Sequence, residues 1–208
     1  MKALIIGATG LVGSKLLRIL KEDSYYESIT AYGRNLSAIE DLSDKNIFIK
    51  SYTNAQDINF SQFDHVYCCV GTTIKKAGSK DNFQSVDLKI PYEVAKHCEK
   101  QSIKKLVIIS ALGSNSNSRI FYNRVKGQME ESCSAAFPKV NFVRPSLLLG
   151  ERDEGRIAEG LGQFLMPLLN PLMQGPIKKF RAIDARDVAR AMFEIAKYGK
   201  THTDIEYI

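Results

Sequence analysis

The sequence predicts an α/β fold: a doubly wound parallel sheet with helices on both faces and a small C-terminal cap. Two observations lead there. Short β-branched runs alternate with amphipathic stretches of helical period, which is the pattern of successive βαβ units. A chain of 208 residues that is 44% apolar also suits one domain with a substantial core. No repeat or low-complexity linker interrupts the alternation.

The first strand covers 2–6 and runs into Gly7. Further strands are read at 28–32, 47–52, 65–70, 105–110 and 140–144, enough for a complete sheet of this kind. A helix over 11–21 places Val12, Leu16, Ile19 and Leu20 near one face. One over 87–100 does so less regularly with Leu88, Tyr92, Ala95 and Cys98, and a third covers 122–135. Residues 74–80 read as a basic loop lying over phosphates or in water. After Arg144 the pattern changes: 151–180 holds Pro167, Pro171 and Pro176 among leucines, and a helix over 184–198, capped by Asp184, leads to a last strand at 204–208. The whole chain, 1–208, is expected to be one domain, with 146–183 as a cap on the substrate side.

Lys and Arg number 29 against 23 Asp and Glu, a net charge of +6. Such an excess attracts nucleic acid, attracts an anionic cofactor, or merely solvates the surface. Nucleic acid is the weakest of these, because no basic stripe interleaved with aromatics follows. Cys68, Cys69, Cys98 and Cys133 show neither a disulfide framework nor paired zinc spacing, so reduced thiols are expected. The apolar start is too short for a signal peptide, and no apolar run reaches about 18 residues. No membrane association and a cytoplasmic location are therefore expected.

The segment Gly7-Ala8-Thr9-Gly10-Leu11-Val12-Gly13 joins the first strand to the first helix. Gly7 permits a tight turn, Gly10 lets backbone approach phosphates, and Gly13 lets the helix pack on the strand, while the free amides of the helix start face a pyrophosphate. An ordinary strand-to-helix turn is the alternative; the position at the end of an apolar strand and the head of an amphipathic helix favours a dinucleotide. The cofactor set read here is Gly7, Thr9, Gly10, Leu11, Val12 and Gly13. About twenty residues on, where an acidic residue would bind the ribose of NAD, stands Gly33-Arg34-Asn35. Arg34 offers a planar cation for a 2′-phosphate, so NADP(H) is favoured and NAD(H) stays open. Val70, Gly71 and Thr72 end the fourth strand on the ligand side of the sheet.

Tyr122 and Lys126 stand four residues apart on one helical face. The ammonium is expected to lower the phenol pKa, so that the phenol exchanges a proton with a substrate oxygen during hydride transfer. At this point the chain resembles the short-chain dehydrogenase/reductase superfamily, in particular its atypical members and most closely the Tat-interactive-protein oxidoreductase-like branch. The resemblance runs through Gly7 to Gly13, Gly33-Arg34, Cys68 to Thr73, Ser110 to Gly113, Tyr122 to Gly127 and Phe142 to Gly150, in the superfamily's order. It implies an NAD(P)-binding Rossmann fold with Tyr122 as acid/base, Lys126 as ribose ligand and pKa modifier, Ser110 polarising the substrate oxygen, and Pro145 at the hinge into the cap. Two positions depart from its pattern. Ala111 stands where a second serine is common, leaving Ser110 with Ser114 or Thr72 as substitutes; Asp87 replaces an asparagine, which is expected to disturb a proton relay.

The apolar side chains of 161–173 require a cover, which a short helix packed on the body, an apolar substrate pocket or a partner surface would supply. The expected function is NADP(H)-dependent oxidoreduction of a small carbonyl or alcohol. The alternative is a non-catalytic NADPH-binding regulator or assembly protein, with a homodimer or another protein as partner. A sugar-nucleotide epimerase would need a larger C-terminal domain.

Overall fold

A computed structural model describes residues 1–51, 58–146, 148–149, 183–201 and 205–208. In chain order the strands are β1 (Lys2–Ile6), β2 (Ser28–Gly33), β3 (Ile47–Ser51), β4 (His65–Cys68), β5 (Lys105–Ile109), β6 (Val140–Arg144), β7 (Leu148–Leu149), β8 (Ile183–Asp184) and β9 (Glu206–Tyr207). The helices are α1 (Leu11–Glu22), α2 (Ile74–Ala77), α3 (Lys80–Gln84), α4 (Ile90–Lys100), α5 (Phe121–Ala136) and α6 (Ala185–Tyr198). The main sheet has the order β3-β2-β1-β4-β5-β6-β9, parallel throughout except for β9, which runs antiparallel to β6; β7 and β8 form a separate parallel pair. This is the Rossmann-type doubly wound sheet that the alternation predicts.

β1 sits near the middle, and Ala3, Leu4, Ile5 and Ile6 are all fully buried, as a strand covered on both faces must be. Side chains alternate between two cores. Ala3, Ile5, Tyr67 and Val107 face the core closed by α1 and α6. Leu4, Ile6, Val66, Leu106 and Ile108 face the one holding Val94, Ala95 and Cys98 of α4 with Met129 and Cys133 of α5. α1 buries Val12, Leu16, Leu17 and Leu20 along one stripe. α6 starts where the Asp184 carboxylate accepts the Arg186 amide at 2.6 Å and stops at left-handed Gly199. Cys68, Cys98 and Cys133 are buried thiols and Cys69 a half-buried one.

The helix of the proposed chemistry is anchored to the sheet by charge. Arg144 on β6 donates to both oxygens of Glu130 on α5, at 3.0 and 2.6 Å, with both groups largely buried. This bidentate clamp fixes the rotation of α5.

Several boundaries differ from those expected. β4 stops at Cys68 and β5 at Ile109. The basic loop is instead two short helices: the Thr73 hydroxyl caps α2 by accepting Lys76 N, left-handed Gly78 ends it, and the Ser79 hydroxyl caps α3 by accepting Asn82 N. The helix expected from residue 87 begins earlier, because α3 continues through a π-helical turn, Ser85–Lys89, into α4. Most of the cap expected at 146–183, including the apolar run of 161–173, lies outside the described residues.

A buried polar cluster lies at the opposite end of the sheet from Gly7. The Tyr26 hydroxyl is 2.7 Å from both His65 Nδ1 and the Tyr67 hydroxyl. Burial pushes the His65 pKa down to about 4, so the imidazole is neutral in the fold. An unfolded histidine titrates near 6.5, so this contribution to stability is complete above that pH and is lost as pH falls through about 4. Asp23 and Asp64, whose lowered pKa values make them lose stabilisation only below 3.8, act at the lower edge of that window. The thermal stability of the wild type is therefore expected to fall as pH drops from 6.5 to 4, with His65→Gln flattening this part of the curve; parallel profiles would contradict the assignment. Glu130→Ala removes the bidentate clamp on Arg144 and should lower stability by about 1.5–3 kcal/mol, the worth of a charged hydrogen bond, read from the urea unfolding midpoint, whereas an unchanged midpoint would mean that the clamp carries no weight.

Candidate functional site

The strand order reverses between β1 and β4, so the turns leaving their C-terminal ends diverge around a crevice. At Gly7, φ is +84°, and a Cβ there would stand 2.9 Å from Cys69 C and Val70 N. A Cβ at Gly13 would meet Ala8 Cα at 2.9 Å and overlap the Gly7 carbonyl oxygen. The Gly7 and Ala8 amides both donate to Tyr32 O at 3.0 Å, which ties the turn to β2. α1 then begins with Gly10 as N-cap, without a side-chain cap and without an acidic residue in its first turn. Donor amides of Leu11, Val12 and Gly13, a positive helix end and a backbone bare of side chains fit a dinucleotide pyrophosphate. Thr9 lies against Gly33, where a Cβ would overlap its side chain, so exposed Arg34 begins directly beside the turn.

Val70, Gly71 and Thr72 leave β4 over the same crevice, where a Cβ on Gly71 would lie 3.4 Å from Asp87 Oδ1. The Thr72 amide donates to Asp87 Oδ2 at 2.8 Å. The other carboxylate oxygen, Oδ1, stands 2.8 Å from Lys126 Nζ, and these side chains are 1% and 3% exposed. The substitution expected to disturb a relay therefore supplies the counter-ion of the lysine. Burial pushes the Lys126 pKa down, but the Asp87 carboxylate and the Tyr122 phenol more than offset this, and it ends above its ordinary value. Sequence reading noted Asp87 only as a departure. The signal it held was a lysine on an amphipathic helix beside a required aromatic, which needs a carboxylate once buried.

Tyr122 packs against the buried Phe83 ring, with centroids 5.6 Å apart. The expectation of a lowered phenol pKa is corrected here. Burial raises it, Lys126 lowers it, and Asp87 raises it again, so the phenol is held above its ordinary range. The helix spacing counted the lysine and left out, first, the burial of the phenol and, second, the carboxylate that offsets the lysine charge.

Ser110 is buried, and its Oγ lies 2.9 Å from Ser114 Oγ. Ser114 spends its one proton on the Ala111 carbonyl at 2.7 Å, so Ser110 is the donor between the two hydroxyls. Among the described residues no hydrogen bond joins Ser110 to Tyr122. Thr72 contributes its amide to the site, while its hydroxyl turns to Thr73 O at 3.5 Å. Buried Pro145 accepts the Leu112 amide at 2.9 Å, tying the end of β6 to the segment after Ser110. Among the described residues no group of three or more His, Cys, Asp or Glu could hold a metal ion, and no helix is long and apolar enough to cross a membrane.

Comparison with known proteins agrees with this geometry. Residues 7–197 match a family described as NAD(P)H-binding. Protein FMP52, mitochondrial, of Candida albicans is 32% identical over 214 residues, covering 96% of this chain and 89% of its own. Among solved structures, the UDP-glucuronic acid 4-epimerase of Bacillus cereus in complex with NAD superposes with a TM-score of 0.69 at 16% identity, over 95% of this chain and 73% of that one. A short-chain dehydrogenase/reductase of Veillonella parvula in complex with NADP gives 0.62 at 16% identity, over 99% and 93%. The NAD(P)-binding Rossmann-type fold that the resemblance implies holds, and these matches do not single out the Tat-interactive-like branch.

The cytoplasmic expectation is overturned, since the Candida relative and further FMP52 relatives are named as mitochondrial proteins. That expectation rested on the want of a secretory signal and a membrane span, features that address the secretory route and bear no information on mitochondrial import. The glycine turn at the sheet's switch point and the matches across nearly the whole chain give one conclusion: the chain belongs to the NAD(P)H-binding family and is a relative of the FMP52 proteins.

Proposed function

We propose that this protein is an NADP(H)-dependent oxidoreductase of the short-chain dehydrogenase/reductase type, acting on a small carbonyl or alcohol substrate. The observation that carries the reading is the buried Lys126 and Asp87 pair, with half-buried Tyr122 one helical turn away on α5, tied through Thr72 to the loop leaving β4. A Rossmann sheet needs only its glycine turn to hold a nucleotide. A desolvated phenol beside a paired ammonium is a proton-handling group in addition.

In this reading the turn from Gly7 to Gly13 holds the pyrophosphate, Arg34 meets the 2′-phosphate, Val70 and Gly71 pass close to the cofactor, and Pro145 shapes the wall below the cap. When bound, the nicotinamide supplies or accepts the hydride. Tyr122 exchanges a proton with the substrate oxygen at its phenolic oxygen. Lys126 donates to the nicotinamide ribose. Ser110 polarises the substrate oxygen, for which its proton has to turn from Ser114 to the substrate. The apolar and basic side chains near the helix, such as exposed Ile120 with Lys80 and Arg124 over the Phe121 ring, suit a partly apolar substrate.

Isothermal titration with NADPH and NADH tests the cofactor. NADPH is expected to bind more tightly, and Arg34→Ala to weaken NADPH about ten- to a hundredfold, as loss of a charged hydrogen bond predicts, while leaving NADH nearly unchanged. Equal losses for both nucleotides would remove Arg34 from the 2′-phosphate. Turnover is tested by NADPH oxidation with a panel of aldehydes and ketones. Tyr122→Phe should lower kcat by about 10²–10⁴-fold with NADPH affinity retained; an unchanged rate sinks the mechanism.

A further inference from the structure

We propose that Asp87 is a positioning residue that cancels the charge of Lys126 and thereby keeps Tyr122 protonated, setting the site for carbonyl reduction rather than alcohol oxidation. This rests on the oxidoreductase reading for its chemistry and on the geometry of the free protein for its physics. Asp87 does not touch the reacting atoms. It acts through Lys126, 2.8 Å away, and is itself held by the Thr72 amide at 2.8 Å.

Lys126 stands one helical turn from Tyr122, and an ammonium alone at that place would favour phenolate. With a carboxylate in contact, the two charges form a neutral pair and the phenol meets little net field. The other neighbours do not restore it. Phe83 presents an apolar ring from α3, and buried Cys68 lies near Lys126 from β4. Lys80 and Arg124 sit over the neighbouring Phe121 ring, 5.3 and 5.8 Å from its centroid. Burial then favours the neutral phenol. The carboxylate is placed by a π-helical turn, the one interruption between α3 and α4, a distortion that recurs at functional sites.

A neutral phenol is a proton donor. In reduction the carbonyl carbon takes a hydride from the reduced nicotinamide, the carbonyl π bond breaks, and its electron pair on oxygen takes the Tyr122 proton. The carbon is reduced by two electrons, the nicotinamide is oxidised, and the phenolate left behind is reprotonated from water. Oxidation requires the phenolate first, which the paired lysine withholds near neutral pH.

The test is ultraviolet titration of the free protein, taking the difference between wild type and Tyr122→Phe to isolate the Tyr122 phenolate. Tyr122 is expected to ionise above the ordinary tyrosine value of about 10 in the wild type. Asp87→Asn should move it down by at least one pH unit, a tenfold rise in phenolate at a given pH, and Asp87→Glu should restore the wild-type curve. The double variant Asp87→Asn with Lys126→Met should lose the downward shift, since the uncancelled charge is gone. Wild-type ionisation below 10 overturns the proposal, and does so even if Asp87→Asn fails to fold; an unmoved curve in a folded Asp87→Asn overturns it as well. With an active carbonyl substrate, the alkaline limb of kcat should fall in pH by the same interval in Asp87→Asn, and the ratio of alcohol oxidation to carbonyl reduction at neutral pH should rise about tenfold. The predicted titration shifts without turnover on any carbonyl would uphold Asp87 and sink the oxidoreductase reading, whereas turnover with an unmoved titration would do the reverse.

Discussion

Where β1 ends, stretches of backbone from β1, α1 and β4 share a space that a side chain would fill. A Cβ on Gly7 would stand 2.9 Å from Cys69 and Val70, and one on Gly13 equally close to Ala8. With those positions bare, α1 starts directly against the strand and the loop from β4 crosses the turn in contact with it. From there a continuous path leads to the chemistry. The β4 loop carries Thr72, whose amide holds Asp87, which holds Lys126 one helical turn from Tyr122. The nucleotide turn and the proposed acid/base group thus belong to one packed unit, although one opens the chain and the other lies on α5.

Stability alone does not account for the two buried charges on that path. Removing an ammonium and a carboxylate from water costs several kcal/mol for each, and a well-packed apolar pair of the same volume often serves the fold as well or better. The Arg144 and Glu130 pair is a different case. Its two parallel hydrogen bonds fix α5 against β6, and both groups keep some contact with water. Lys126 and Asp87 are almost fully enclosed, and among the described residues one amide, that of Thr72, supports them. A pair maintained at that expense is readily understood when its charge balance acts on a third group, and the group beside it is Tyr122.

Much of the fold was legible because local and tertiary demands coincide. β1 and β6 match their expected limits, since the apolar runs end at Gly7 and before Pro145, where the backbone has to turn. The expected ends of β4 and β5 were too late, because Val70 and Ser110 continue the apolar or small-residue run past the last paired residues, with the Ser110 amide making a closing bond to Val143 O at 2.8 Å. Thr73, Gly78 and Ser79 spelled caps for α2 and α3, but the lysines between them drew the reading toward a loop. At the site, residue types were legible and their pairing was not. The spacing of Tyr122 and Lys126 follows from one helix, whereas the sign of the phenol's pKa shift depends on burial and on a carboxylate brought from another element. Ser110 was legible as a candidate, but the direction of its proton depends on Ser114, whose own proton is fixed by the Ala111 carbonyl.

The remaining question is whether a lysine held by Asp87 can also serve a bound cofactor. An ammonium carries three donors. Lys126 meets Asp87 at 2.8 Å as an ion pair without the alignment of a hydrogen bond, so in the proposed reading its donors stay open to the hydroxyls of a nicotinamide ribose. Ribose binding therefore does not require the ion pair to open. If the pair had to break for the cofactor to enter, binding would release the lysine charge onto Tyr122 and turn the phenol toward phenolate just when hydride transfer begins. With the pair intact, the proton stays on Tyr122 in the loaded site, and the same carboxylate continues to hold the Thr72 amide at the edge of the crevice. In the proposed reading cofactor binding rests on the glycine turn and Arg34, while the phenol is kept protonated by its burial and by the carboxylate on the π turn that offsets Lys126.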